Sequence, residues 1–122
     1  MKKIFSLLML SVLLTGCTSI TNLTPSHYPR DPSGNYRVEA QWYSNRQAVR
    51  EDSFKPLVIV DGVKSVPMQP VPLVTDRWEA FIQVPADKDV VLYRYKFDFL
   101  DNTIGGPKPN SMMSRDYELH IK

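Results

Sequence analysis

The feature that most constrains the fold is a run of alternating side chains over residues 90–100. Its aromatic face carries Val91, Tyr93, Tyr95, Phe97 and Phe99, and Arg94, Lys96 and Asp98 lie on the other face. A period of two is typical of a β-strand with one buried face. We therefore predict a long strand here, with its aromatic face in a hydrophobic core.

Three further segments alternate in the same way. Residues 36–43 and 77–84 each place a tryptophan on their apolar face, and the last residues of the chain alternate from Tyr117 through Leu119 to Ile121. The apolar faces of the first two consist of Tyr36, Val38, Ala40 and Trp42, and of Trp78, Ala80, Ile82 and Val84. Because one aromatic side chain buries about 150–250 Å², we predict that Trp42, Trp78 and the aromatic face of residues 90–100 form the core.

Turn residues separate these segments. Asp61-Gly62 follows the apolar run 57–60, and such a pair between apolar runs predicts a two-residue hairpin loop. The returning arm is interrupted by Pro67, Pro70 and Pro72, which predicts an edge strand or an extended connection over residues 66–72 because proline lacks the N–H donor of the ladder. Residues 44–53 are predicted to be a loop, with a single helical turn as the alternative, and residues 85–89 and 101–110 are predicted to be a turn and a loop.

Six or seven short strands with almost no helical periodicity favour an all-β fold. We predict a small antiparallel immunoglobulin-like β-sandwich over residues 36–122, a length of 87 residues, with a small barrel as the alternative.

The first 17 residues, MKKIFSLLMLSVLLTGC, have a basic start, a short apolar middle and small residues at the end. This composition is typical of a secretory signal peptide, and the apolar run is too short to span a bilayer comfortably. The sequence Leu14-Thr15-Gly16-Cys17 resembles the bacterial lipobox. The resemblance implies a signal peptide over residues 1–16, cleavage between Gly16 and Cys17, and lipidation of Cys17.

Cleavage and lipidation would change the composition of the mature chain. Cys17 is the only cysteine, and acylation would consume its thiol. Cleavage would remove Lys2 and Lys3, so the mature chain would contain 13 basic and 13 acidic residues and have a formal net charge of zero. This charge gives no indication of nucleic-acid binding. By resemblance to enterobacterial lipoproteins, Thr18 after the cysteine implies an outer-membrane location, facing the periplasm or the cell surface. Residues 17–35, which are rich in proline and polar residues, are predicted to be the lipidated cysteine and a flexible tether.

Residues 77–85, RWEAFIQVP, and 92–99, LYRYKFDF, are similar to part of an early-set immunoglobulin-like domain of the kind found in starch- and glycogen-binding modules. The similarity covers about 25 residues. It implies a sandwich fold and, as one alternative, glycan binding through exposed aromatic rings. Tyr43 and Phe81, on the polar faces of their strands, are the candidate contact residues.

The sequence contains few candidate catalytic residues and no catalytic motif. Nucleophilic catalysis needs a base beside a nucleophile, and the two histidines are placed in the predicted tether (His27) and on a polar strand face (His120). No His/Cys cluster has metal-ligand spacing, and no phosphate-binding or nucleophile-elbow motif is present. We therefore expect no enzyme activity, no metal and no cofactor.

Two hypotheses of function remain. The first is a structural or accessory component that docks onto protein partners in a cell-envelope assembly, such as a secretion system. It would use the edge at residues 66–72 and the loop 101–114, where Met112 and Met113 either adapt to a partner or pack on their own sandwich. The second is a glycan-binding module, which requires Tyr43 and Phe81 to line one exposed groove.

Overall fold

The computed structural model describes residues 18–44 and 49–122, with no side-chain placement for residues 49–51. These residues form ten strands and no helix. The strands are β1 (Thr18–Asn22), β2 (His27–Tyr28), β3 (Asn35–Ser44), β4 (Val49–Val60), β5 (Lys64–Pro67), β6 (Gln69–Pro70), β7 (Arg77–Gln83), β8 (Val90–Thr103), β9 (Gly106–Met113) and β10 (Tyr117–Ile121).

The strands form two sheets. The first sheet has the order β1-β3-β7-β6, and the second has the order β2-β10-β8-β4-β5. β9 extends the second sheet by pairing with the latter half of β8. All pairs are antiparallel except β2 with β10. This arrangement matches the two sheets of an immunoglobulin-like sandwich and confirms the predicted fold class, with ten strands in place of six or seven.

The core lies between the alternating faces predicted from the sequence. Every residue on the aromatic face of β8 is buried, as are the four apolar residues of β3. Trp42 is the centre of an aromatic cluster, with its ring centroid 5.1 Å from that of Phe97 and 5.3 Å from that of Phe99. Trp78 is half-buried at the margin of the same cluster. Aromatic pairs at these centroid distances stabilise the folded state by more than the burial of their surface area alone.

The edge predicted after Asp61 is confirmed and a hairpin turn is present at Asp61-Gly62, but the predicted two-residue loop is wrong, because Val60 pairs with Lys64 and the loop has three residues. Asp61 and Gly62 have φ angles of 52° and 75°, as the central positions of a hairpin turn require. The returning arm forms β5 at the edge of the second sheet, and β6 then forms the edge of the first sheet. Between them the buried Met68 donates its backbone N–H to the carbonyl of Pro56 at 2.9 Å, so the chain changes sheets there.

The tether predicted before residue 36 is wrong for the described residues 18–35. β1 pairs over five residues with β3, and β2 pairs with β10. Ile20 and Tyr28 pack against the core. The segment lacks a long periodic pattern because it supplies two very short strands separated by turns, and strands of two to five residues show little periodicity.

Two predicted loops are also partly strand. β4 begins at Val49, within the loop predicted over residues 44–53, and residues 45–48 lie outside the described part of the chain. The loop predicted over residues 101–110 is wrong, because β8 continues to Thr103 and β9 returns from Gly106. Pro107 and Pro109 are tolerated in β9 because it pairs with a neighbour on one side only.

Candidate interaction surfaces

The chain enters the sandwich at Thr18, the residue directly after the predicted lipidation residue Cys17. Thr18 lies opposite Ser44 in the sheet, and their hydroxyl oxygens are 3.1 Å apart. Gly16 and Cys17 lie outside the described residues, so cleavage and lipidation there stay a prediction. Because β1 begins at Thr18, no spacer separates Cys17 from the first sheet.

A hydrogen-bonded cluster fixes the end of β1 to the buried tyrosines of β8. The Tyr95 hydroxyl donates to Asn22 Oδ1 at 2.7 Å and lies 3.0 Å from the Thr24 hydroxyl. Asn22 Nδ2 donates to the Tyr93 hydroxyl at 2.9 Å. Burial raises the pKa of both tyrosines above their ordinary value. The cluster holds residues 22–24 in place as part of the fold.

The two candidate contact aromatics are exposed, but they lie far apart. Tyr43 is 54% exposed and Phe81 is 59% exposed, both on the outer face of the first sheet. Phe81 lies opposite Arg37, which is six residues from Tyr43 along β3. At about 3.3 Å per residue the two rings are separated by roughly 20 Å. They therefore do not line one groove.

Charged side chains occupy the surface between these two rings. Arg37 Nε donates to Glu79 Oε2 at 2.6 Å, and Arg37 Nη2 donates to Glu39 Oε1 at 3.2 Å. The hydrogen bond to Glu79 raises the pKa of the Arg37 guanidinium. The outer face of the first sheet thus has an ion-pair network at its centre and one exposed aromatic ring near each end. Aromatic residues and arginine are enriched in protein–protein interfaces.

The two candidate methionines lie in β9 on the second sheet, not in a loop. Met112 lies opposite Phe97 and packs against the core of its own sandwich. Met113 is half-exposed on the outer face of the second sheet. Tyr43 and Phe81 are on the first sheet, so the four candidate contact residues do not share a surface.

The parallel pairing of β2 with β10 brings the two histidines together, which sequence spacing does not predict. Their ring centroids are 5.1 Å apart, and the Ser26 hydroxyl oxygen lies 2.9 Å from His27 Nδ1. His120 Nε2 is 3.2 Å from a carboxylate oxygen of Glu118. The two rings lie at the edge of the second sheet, and Ser26 and Glu118 line a neighbouring open concavity of about 450 Å³. Among the described residues, no group of three or more His, Cys, Asp or Glu side chains could hold a metal ion.

A shallow concavity of about 800 Å³ lies between β4, β8 and β9. Two of its polar side chains form hydrogen bonds within the protein. The Ser53 hydroxyl accepts from the backbone N–H of Leu100 at 2.9 Å, and Asn110 Nδ2 donates to Asp101 Oδ2 at 2.8 Å. Lys55, Asp98 and Ser111 are the other polar residues that line the concavity.

No protein family and no curated protein matches this chain in sequence. Within residues 18–44 and 49–122, no helix is long and apolar enough to cross a membrane.

Leu73, Val74 and Ile104 are exposed apolar side chains that the alternation patterns miss because they lie in turns. Leu73 and Ile104 are fully exposed, and Val74 is partly exposed. Each lies in a short uncharged segment beside proline or glycine, in Val-Pro-Leu-Val-Thr at residues 71–75 and in Thr-Ile-Gly-Gly-Pro at residues 103–107. An apolar residue in a turn composition is the signal that marks them.

Proposed function

We propose that this protein is a lipoprotein anchored to the outer membrane through Cys17, and that its sandwich is an accessory, non-enzymatic component of a cell-envelope protein assembly. The observation that carries the proposal is the junction between the lipobox-like sequence and the fold. Thr18, the first residue after Cys17, is already paired in β1. A lipid on Cys17 would therefore hold the whole domain directly at the membrane surface, whereas a long tether would let it search a large volume.

The outer face of the first sheet is the proposed contact surface for the partner. It presents Phe81 and Tyr43 on either side of the Arg37–Glu79 pair. Such a face combines exposed aromatic area with an arginine, which are the residue types that dominate binding energy at interfaces. The glycan-binding alternative is not favoured, because two aromatic rings roughly 20 Å apart cannot stack on one sugar.

Lipidation is tested by Cys17→Ser. We expect the substitution to block maturation and to abolish membrane fractionation, whereas the native protein carries acyl chains on Cys17 in its mass spectrum. Mature protein of 106 residues that still fractionated with membranes in the Cys17→Ser variant would refute the anchor.

The partner is tested by affinity purification of the native protein from solubilised envelopes. A photo-crosslinking residue at Phe81 or Tyr43 should capture the co-purifying protein. The same residue at Met113, on the outer face of the other sheet, is the matched control. Recovery as a free monomer, with no stoichiometric partner and no crosslink from the first sheet, would contradict the interaction role.

A further inference from the structure

The two ends of the sandwich differ in the chemistry of their turns. We define the entry end as the end where β1 begins and Thr18 lies opposite Ser44. The opposite end is where Asn35 lies opposite Gln83. Thr18, the residue bonded to the predicted lipidation residue Cys17, therefore lies at the entry end.

The turn between β6 and β7 lies at the entry end. The carbonyl of Asp76, in this turn, accepts a hydrogen bond from the backbone N–H of Trp42 at 2.8 Å. Trp42 is two residues from the end of β3, so the turn is level with the point where the chain enters the sandwich. Leu73 and Val74 project from this turn into solvent.

The β8–β9 turn lies at the same end, on the other sheet. Trp42 packs against Phe99 of β8, and β8 continues for four residues beyond Phe99, to Thr103. The hairpin therefore extends roughly 13 Å past the level of Phe99. Its tip presents the fully exposed Ile104.

The opposite end has charged turns. Lys88 pairs with Asp61, and Arg30 pairs with Asp89 at 2.6 Å. By contrast, residues 71–75 and 103–107 at the entry end contain no charged residue, and Asp76 is the one charged residue of the β6–β7 turn. Within the described turns, ion pairs link the turns at one end, where Val63 is also exposed, and the exposed side chains of Leu73, Val74 and Ile104 lie together at the other end.

The backbone at Leu73 supports a role for its exposed side chain. Leu73 has a φ angle of 65°, in the left-handed region that bulky side chains rarely adopt. A fully exposed leucine contributes no packing to offset this conformation, and glycine or asparagine would adopt it more easily. Strain of this kind at an exposed position points to a use outside the fold.

From these observations we infer that the entry end docks on the phospholipid surface, with Leu73, Val74 and Ile104 inserted at the boundary between headgroups and acyl chains. The inference rests on the lipid anchor proposed above, since Cys17 brings this end to the bilayer. Apolar side chains buried at that boundary strengthen membrane binding. Docking would orient the long axis of the sandwich away from the membrane, with the charged end outermost.

The test uses the lipidated full-length protein reconstituted in vesicles of phosphatidylethanolamine and phosphatidylglycerol. Acylation blocks the only native cysteine, so Ile104→Cys provides a single reactive thiol for a nitroxide spin label. Val63→Cys is the matched control. Val63 is 87% exposed, and it lies in the turn that hydrogen-bonds to Leu92, about 40 Å along β8 from Ile104.

We expect the label at residue 104 to collide more often with oxygen, which concentrates in the bilayer, and less often with a water-soluble nickel chelate. The label at residue 63 should show the reverse. Equal nickel accessibility at both sites would overturn the docking. The docking would also be overturned if the label at residue 104 became accessible to nickel at a lower ratio of protein to lipid. In that case a second copy of the chain, and not the bilayer, would have shielded the label.

The mass of Cys17 separates failure of this inference from failure of the proposed function. Acylated protein with a water-exposed label at residue 104 would refute docking alone. Protein without acyl mass, whose native thiol reacts with the label in the unsubstituted chain, would refute the anchor and the docking with it. As a second variant, Leu73→Asn with Ile104→Asn replaces the two exposed apolar side chains by polar ones without adding charge. A label placed at Val74 by Val74→Cys should become accessible to nickel in that background if docking depends on the two apolar tips.

Discussion

The hydroxyl of Tyr95 offers the most direct test that the segment after Cys17 is part of the sandwich. Tyr95 is fully buried, and its hydroxyl contacts Asn22 at 2.7 Å, Thr24 at 3.0 Å and the Glu39 carbonyl at 3.1 Å. Tyr95→Phe removes these contacts and leaves the ring in place. A single hydrogen bond contributes about 0.5–1.5 kcal/mol, and a buried polar group left without a partner costs about 1–3 kcal/mol. We therefore expect a loss of about 2 kcal/mol in the free energy of unfolding.

The measurement is equilibrium unfolding in guanidinium chloride, followed by tryptophan fluorescence. A loss of about 2 kcal/mol corresponds to a midpoint shift of roughly 0.5 M, or to a fall in melting temperature of roughly 8–16 °C. Tyr43→Phe is the matched control, because it removes the same hydroxyl from an exposed ring and should change stability by less than about 0.5 kcal/mol.

A double-mutant cycle tests the contact itself. In an Asn22→Ala background, Tyr95→Phe should cost clearly less than it does in the native chain, because the partner has already been removed. An equal cost in both backgrounds would refute the coupling. If Tyr95→Phe and Tyr43→Phe had the same midpoint, residues 22–24 would not be fixed to the core, and the tether predicted from the sequence would be restored.

Three further predictions concern stability. Burial raises the pKa of Tyr93 and Tyr95 in the folded protein, so the unfolded chain releases these protons at a lower pH. The free energy of unfolding should therefore fall above about pH 10, by up to about 1.4 kcal/mol per pH unit for each tyrosine. Thermal unfolding at several pH values measures this loss. The hydrogen bond from Lys88 lowers the pKa of Asp61 in the folded protein. Lys88→Met should therefore lower the free energy of unfolding by about 0.2–1 kcal/mol at neutral pH, and the variant should lose less stability than the native protein as the pH falls below about 4. Denaturation at several pH values measures both effects. Leu73→Gly should raise the free energy of unfolding of the detergent-solubilised protein by up to about 1 kcal/mol, because glycine adopts a positive φ without strain.

Each of these predictions has a contrary outcome. A flat stability profile from pH 9 to pH 12 would contradict the buried tyrosines, and an unchanged acid profile in Lys88→Met would contradict the pairing with Asp61. Leu73→Ala is the control for the backbone, since alanine keeps the strain. If Leu73→Gly and Leu73→Ala had the same stability, the left-handed conformation would not be the cause.

The long strands could be predicted from the sequence because each has one buried and one exposed face. The alternation in β8 and β3 identifies their buried residues almost without error, since burial on one face of a strand repeats every two residues. The hairpin turn at Asp61 could also be predicted, because an Asp-Gly pair readily adopts the positive φ angles that such a turn requires.

The short strands could not be predicted in this way. β1 and β2 contain five and two residues, and they are defined by their partners in the sheet. β9 contains Pro107 and Pro109, which count against a strand unless its position at an edge is already known. Local composition therefore suggested a tether and a loop, whereas long-range pairing determined the structure.

The candidate contact residues were predicted less well than the fold. The strand faces correctly placed Tyr43 and Phe81 in solvent, but the distance between them depends on the register of β3 with β7, which no local pattern encodes. The contact between His27 and His120 and the shared end of the two apolar turns likewise depend on pairings between residues distant in sequence.

The prolines on the outermost strands have a consequence for crowding. Pro67 lies on β5, Pro70 on β6, and Pro107 and Pro109 on β9, and all three strands have an open side. If Cys17 is lipidated as proposed, the molecules would diffuse in two dimensions at high local density, where edges of neighbouring sheets can meet. Proline lacks the donor needed to continue a ladder into the next molecule. β5, β6 and β9 would therefore resist edge-to-edge polymerisation, whereas the edge strands β1 and β2 contain no proline and depend on their short length of five and two residues.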